Sequence, residues 1–358
     1  MPPFRISVVQ LTMEPVDHMV ALAQESERAG FDVFWLGEAY HWWRKHGMEA
    51  RSSTALSALL ARETERIAIG WGIISPFTRH PLQIAMEARV LQEVAGPDRF
   101  LLGLGASRIF IRAAGGDGER PFRPLTAMRE ATEIVRRALG GEAFEFAGSE
   151  FDAAVPSLAP GADAPRTTVP IYWAATAPRM LSAAGAYADG LLTASITTPA
   201  FVRYARGRMA DGAREAGRDP SELDVGCVIV ASIGEERAAG RDGAREIAGM
   251  YLANKVQNIQ GAADTLLELA EIDRSEILPV ADAMDSGGRL AAKANVSDAL
   301  LDKCKPIAGT PEDCIAAIEE YREAGCTHMM LELWGDNRLE QIRLFGEHVL
   351  PHFHGARV

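Results

Sequence analysis

The sequence predicts a (β/α)₈ TIM barrel. Three observations carry the prediction. Short strand-like runs alternate with helical patterns almost from the first residue. Eight such runs can be counted, and no shift in composition divides the 358-residue chain. Barrels of this class routinely reach such a length as one domain, so 1–358 is read as a single unit with a helical insertion over about 253–309, between strands seven and eight. An open Rossmann sheet would show fewer strands and a glycine fingerprint after the first of them.

Residues 4–11 form the first strand; Val16, Met19, Val20, Ala23 and Ala29 then recur at helical spacing, and Gly30 stops that helix. Strand two is 31–36. Ser52 or Ser53 caps a helix through Leu56, Leu59 and Leu60, and strand three opens at 66–70. A helix over about 82–94 leads to strand four at 99–105, followed by a helix striped with Leu125, Met128, Ile134, Val135 and Ala138. Residues 143–152 read as a hairpin around Ala147-Gly148, and 156–170 as a proline-rich loop. Strand five (169–175), a helix (179–187), strand six (190–194), a helix (199–216) and strand seven (223–233) follow. The next ninety or so residues are largely helical, over 238–252, 262–271 and 298–303, with Asp285-Ser286-Gly287-Gly288 as an expected mobile break. Thr310 suits an N-cap, Pro311 a first helical position, and Glu312 and Asp313 favour the helix dipole. Strand eight is 326–333, and a helix over 339–349 closes the chain.

A formal net charge of −12 excludes the basic footprint that nucleic-acid binding needs. No run of about eighteen apolar residues is present, which argues against a membrane span, and the first residues carry no secretory pattern, which points to the cytoplasm. Cys227, Cys304, Cys314 and Cys326 lack C-x-x-C spacing and read as free thiols; no residue group suggests a metal.

In this fold the chemistry lies on the loops that follow the strands. After strand two, Gly37-Glu38-Ala39-Tyr40-His41-Trp42-Trp43 brings together stacking surfaces, with Tyr40 and Trp43 as cofactor contacts, and proton-exchanging groups in Glu38 and His41. After strand three, Gly72, Ile73, Ile74, Thr78 and Arg79 line a loop that glycine lets approach a ligand closely. Arg79 is open to two readings, an anion contact or a salt bridge to the next helix. After strand four stand Gly105, Ala106 and Ser107, with the cations Arg108 and Arg112 beyond them. After strand five, Ala174, Ala175, Thr176, Ala177 and Arg179 pass through small residues into a helix start, where backbone N–H groups favour a phosphate. Asp336 or Asn337 suits the cap of the last helix.

Several of these segments together resemble the luciferase-like monooxygenase superfamily, and within it the deazaflavin (coenzyme F420)-dependent branch typified by methylenetetrahydromethanopterin reductase. They are residues 31–40 (FDVFWLGEAY), 72–81 (GIISPFTRHP), 98–106 (DRFLLGLGA) and 169–181 (VPIYWAATAPRML), with Ala188-Asp189-Gly190 and Val349-Leu350-Pro351. The resemblance implies a tricyclic ring across the barrel mouth, a non-prolyl cis peptide at Gly72-Ile73, and a phosphate-bearing tail at Ala175, Thr176 and Ala177. The implied reaction is hydride transfer between reduced F420 and a small-molecule imine, pterin-like, carbonyl or enone substrate, by an enzyme expected to be a homodimer. The alternatives are an FMN-dependent two-component monooxygenase fed by a separate reductase, and a non-catalytic flavin-binding barrel. The chain departs from the branch in carrying Glu38-Ala39 where many members carry Asp-His, and Arg108 and Arg112 where members carry an acid. The proton donor stays open.

Overall fold

The computed structural model describes residues 2–38, 49, 51–106, 123–159, 161, 167–257, 264–335 and 337–354. Alternation of apolar strands with helices produces a closed parallel barrel. Its strands are β1 (Arg5–Leu11), β2 (Val33–Gly37), β3 (Ala68–Ile74) and β4 (Phe100–Leu104) in the first half. An antiparallel hairpin, β5 (Phe144–Ala147) with β6 (Asp152–Val155), stands apart from the barrel, pairing Phe144 with Val155 and Ala147 with Asp152. The second half comprises β7 (Ile171–Ala174), β8 (Gly190–Leu192), β9 (Asp224–Ile233) and β11 (His328–Leu333). The order β9-β11-β1-β2-β3-β4-β7-β8 closes through a β8–β9 pairing, and all of these pairs are parallel.

Helices cover the outside: α1 (Val16–Ala29), α2 (Ser53–Glu63), α3 (Pro81–Ala95), α4 (Pro124–Leu139), α5 (Pro178–Tyr187) and α6 (Pro199–Glu215). After β9 the chain makes its helical excursion through α7 (Arg237–Gln257), α8 (Asp264–Leu269), α9 (Arg274–Ala294) and α10 (Asp298–Lys303), and it returns by α11 (Pro311–Glu323) to β11 and α12 (Arg338–Leu344). No helix among the described residues is long and apolar enough to cross a membrane.

The local signals explain most boundaries. Gly30 ends α1 at φ 93°, where a side chain would be strained. Thr310 and Asp313 form a reciprocal capping box at the start of α11, with Pro311 in the first turn. The interruption expected at Asp285–Gly288 is present at its last residue: two helical segments, counted together as α9, meet at a kink at Gly288, φ 74° and ψ −162°. Two expectations need correction. The excursion starts at 237, because α7 crosses residue 253 without interruption. A ninth parallel strand, β10 (Ile307–Gly309), pairs with the end of β9; three residues are too few to register a period of two.

Inward and outward residues alternate along each strand. On β11, Met329, Leu331 and Leu333 face the helices, while His328, Met330 and Glu332 take the other face. The barrel interior is filled by Trp35, Tyr172, Val9, Leu101 and Met330. Glycines opposite make room for the two large rings: a Cβ on Gly70 would lie 2.2 Å from Trp35, and one on Gly190 would lie 2.3 Å from Tyr172.

The amino-terminal end of the barrel is closed by a buried polar network. The Tyr172 hydroxyl donates to Asp224 at 2.6 Å and accepts from Arg5 at 2.7 Å, and Arg5 also pairs with Asp224. Thr327 donates to the other oxygen of Asp224. Trp35 donates its indole N–H to Nε2 of His328 at 3.3 Å, so Nε2 is an acceptor and the ring proton sits on Nδ1, which faces Asp224 at 3.3 Å. Burial, and then the Arg5 charge, lower the His328 pKa and keep the ring neutral. Burial alone would raise the pKa of Asp224, but the hydrogen bond from His328 and the nearby charges outweigh it and hold the carboxyl below its usual range.

Both groups are depressed relative to the unfolded chain, so both contribute stability that is full above their ordinary pKa values and lost as pH falls. The unfolding free energy, and with it the urea midpoint, is therefore expected to drop on acidification from about pH 7.5 to 5, the free energy by at most about 1.4 kcal/mol per pH unit for each proton taken up. A flat midpoint over that window would refute the neutral, buried state of His328.

Candidate active site at the barrel mouth

The carboxyl ends of the strands form the mouth of the barrel. Gly37 ends β2, and the peptide Gly72–Ile73 on β3 is cis. Ile73 lies over Gly105, where a Cβ would sit 2.6 Å from the Ile73 side chain and 3.3 Å from that of Ala174. A Cβ on Gly37 would touch Leu11 at 2.7 Å and the carbonyl of Gly72 at 3.4 Å. The two glycines thus make room for the side chains of Ile73 and Leu11, which leaves Ile73 as an apolar group at the strand ends.

The structure redistributes several expected residues. Glu38 accepts from both terminal nitrogens of Arg79, at 2.6 and 3.0 Å, and from the backbone N–H of Ser53 at 3.2 Å. Arg79 also faces Glu87 of α3 at 3.6 Å. Hydrogen bonding to Glu38 raises the Arg79 pKa against the opposing effect of burial. Glu38 is therefore a fastener between two loops rather than a free proton donor, and Arg79 takes the salt-bridge role of its two readings. The Thr78 hydroxyl closes its own turn on the Ser75 carbonyl at 3.1 Å. Ile74 is fully buried against the outer helices, so its side chain belongs to the core and only its carbonyl, accepting from Gly105 N–H at 3.0 Å, borders the site.

Ala106 is half-buried, packed against that same core. At the β7–α5 turn, Ala174 faces the barrel interior, whereas Ala175 is buried outward and donates its N–H to Leu192 at 3.1 Å. That N–H is spent on the sheet and cannot hold an anion. Ala177 is the N-cap of α5 with no side-chain cap, next to Thr176 and Pro178, and Arg179 is exposed. Asn337 stands at the N-cap of α12 but makes no capping bond. Tyr40, His41, Trp42, Trp43, Ser107, Arg108, Arg112 and Asp336 lie outside the described residues.

One group escaped the sequence reading. Glu332, 1% exposed near the end of β11, accepts from Tyr251 Oη at 2.6 Å, Ser195 Oγ at 3.2 Å and Trp334 Nε1 at 3.2 Å. Burial raises the Glu332 carboxyl above its ordinary range, and burial with the Glu332 charge raises Tyr251 well above its own. Tyr251 comes from α7, which reaches over the mouth, and Arg289 of α9 stacks on Trp334 at 5.6 Å. The available signal was parity: His328 and Glu332 are ionisable residues on the inward face of an otherwise apolar strand.

If Ile73 supports a planar ligand, Gly105→Val should push Ile73 into the mouth and weaken that ligand at least about tenfold. Overpacking would add about 1–3 kcal/mol of destabilisation. Titration of variant and parent decides the matter; unchanged affinity would place the ligand elsewhere.

Residues 1–328 match the family model described as luciferase-like monooxygenase. The chain is 30% identical over 342 residues to a 5,10-methylenetetrahydromethanopterin reductase of Methanolobus tindarius, covering 94% of this chain and 97% of that one. It is 26% identical over 329 residues to an F420-dependent glucose-6-phosphate dehydrogenase of Tsukamurella paurometabola, covering 89% of each. The solved coenzyme F420-dependent tetrahydromethanopterin reductase of Methanopyrus kandleri superposes with a TM-score of 0.83 at 25% identity, covering 98% of this chain and 99% of that one.

Proposed function

The chain belongs to the luciferase-like monooxygenase family, and on that premise we propose that it is a coenzyme F420-dependent oxidoreductase acting on a small-molecule imine, pterin-like or carbonyl substrate. The observation that carries the reading is the strand-end group of Gly37, Ile73, Gly105 and Ala174. Its glycines let Ile73 and the strand ends pack closely, and its apolar character suits a planar tricycle. When bound, the deazaflavin would supply a hydride at its central ring carbon. The protein's part is to hold the ring against Ile73, to shed water from the mouth, and to offer the uncapped start of α5 near Thr176 and Ala177 to the phosphate of the tail.

The test is a spectroscopic titration of the purified chain with F420 and with FMN. It is followed by oxidation of reduced F420 in the presence of methylenetetrahydromethanopterin. Binding and turnover with F420 support the reading. Tight FMN binding with no F420 affinity would overturn it and would call for a separate reductase partner.

We also infer a homodimer. Met86 and Val90 stand one turn apart on α3, 54% and 56% exposed, with Leu59 of α2 also exposed, which supports an apolar contact between copies. A monomeric sedimentation coefficient at micromolar concentration would refute this.

A further inference from the structure

Adding a hydride to a C=N or C=O carbon leaves the heteroatom in need of a proton. Glu38 does not supply it, since its oxygens are held by Arg79 and Ser53. We propose that Tyr251 delivers this proton, as the catalytic residue that touches the substrate, and that Glu332 loads it as the positioning residue behind. The inference rests on the hydride-transfer reading above.

The geometry defines two states. With Glu332 ionised, Tyr251, Ser195 and Trp334 all donate to it, and the phenol hydrogen points inward. With a proton on Oε1, the 2.6 Å contact reverses: the carboxyl donates to the phenol oxygen, and the hydrogen of Tyr251 turns toward the mouth. Tyr251 is half-buried against the apolar cluster of the roof helices, and its hydroxyl meets Glu332 at the carboxyl end of β11, the end that forms the mouth. In the reaction the substrate carbon gains the hydride and the heteroatom takes the phenol hydrogen. The phenol oxygen takes the carboxyl hydrogen, and Glu332 is left as a carboxylate that water reprotonates after product leaves. A carboxyl whose pKa is raised by burial is suited to carrying that proton. Other ionisable groups on the packed elements are Lys255, one turn along α7 with a pKa lowered by burial to about 8, and Arg289 over Trp334.

Two measurements test the pair. With reduced F420 and methylenetetrahydromethanopterin, Tyr251→Phe and Glu332→Gln should each lower kcat at least about 100-fold and leave the F420 dissociation constant within about threefold. The fall of kcat with rising pH that reflects Glu332 should vanish in Glu332→Gln. Infrared titration of the cofactor-free protein should show a protonated-carboxyl band that is lost in Glu332→Gln and shifted in Tyr251→Phe. Unchanged kcat in both variants, or a carboxyl band indifferent to Tyr251→Phe, would overturn the proposal. Failure of the parent protein to oxidise reduced F420 would instead defeat the hydride-transfer reading, and the infrared arm would still decide whether Tyr251 and Glu332 share a proton.

Discussion

Gly185→Ala is expected to destabilise the protein by about 2 kcal/mol or more and to weaken the cofactor, although alanine is the better helix former. Gly185 lies inside α5, where exchange for alanine would by itself gain about 1 kcal/mol. Packing decides the other way. A Cβ at 185 would stand 1.9 Å from the Met209 carbonyl of α6, and one at Gly212 would stand 1.8 Å from the Ser182 carbonyl. The two helices cross backbone against backbone at this pair of glycines. An added methyl meets peptide oxygens, which have no rotamer to yield, so the whole of α5 must lift. The start of α5 is the part of the helix that borders the mouth, and displacement there carries the loss into binding. Urea denaturation and cofactor titration of the same variant check both parts. A stabilised Gly185→Ala protein would show that the crossing has slack.

Asp224→Ala should cost about 3–5 kcal/mol, because it leaves the Arg5 charge and three hydrogen-bonding partners buried without their common acceptor. The damage lies at the amino-terminal end of the barrel, opposite the strand ends that form the mouth. The variant is therefore expected to lose unfolding free energy while kcat per folded molecule stays close to that of the parent. A loss under about 1 kcal/mol would mean that water enters and solvates Arg5. A large fall in kcat at full folding would tie the network to catalysis.

The barrel itself was legible because each strand and helix announces its period locally, and the Thr310 capping box needs four adjacent residues only. The strand-end group was legible through its glycines and through family likeness at residues 72–81, where the cis peptide stands as expected. What the sequence could not display was partnership at a distance. Arg5, Tyr172, Asp224 and His328 come from four strands separated by up to 323 positions, and no local pattern pairs them. Glu38 looked reactive because its loop is rich in polar and aromatic groups, and only the fold brings Arg79, 41 positions away, onto it. Glu332 sat in a strand whose buried character suggested packing, and two of its three donors, Tyr251 and Ser195, arrive from distant segments.

The roof over the mouth has an apolar interior of its own. Ile247, Met250, Ile277, Val280, Met284 and Leu301 form a cluster distinct from the one between barrel and outer helices. The roof cluster is smaller than the one between barrel and outer helices, so the roof should open before the barrel. Amide hydrogens of α7 and α9 are thus expected to exchange with deuterium through a sub-global opening of lower free energy than that releasing the barrel strands. Because Tyr251 rides on α7, each such opening would also carry the phenol away from Glu332, so the lifetime of the catalytic arrangement is set by the weaker of the two hydrophobic units.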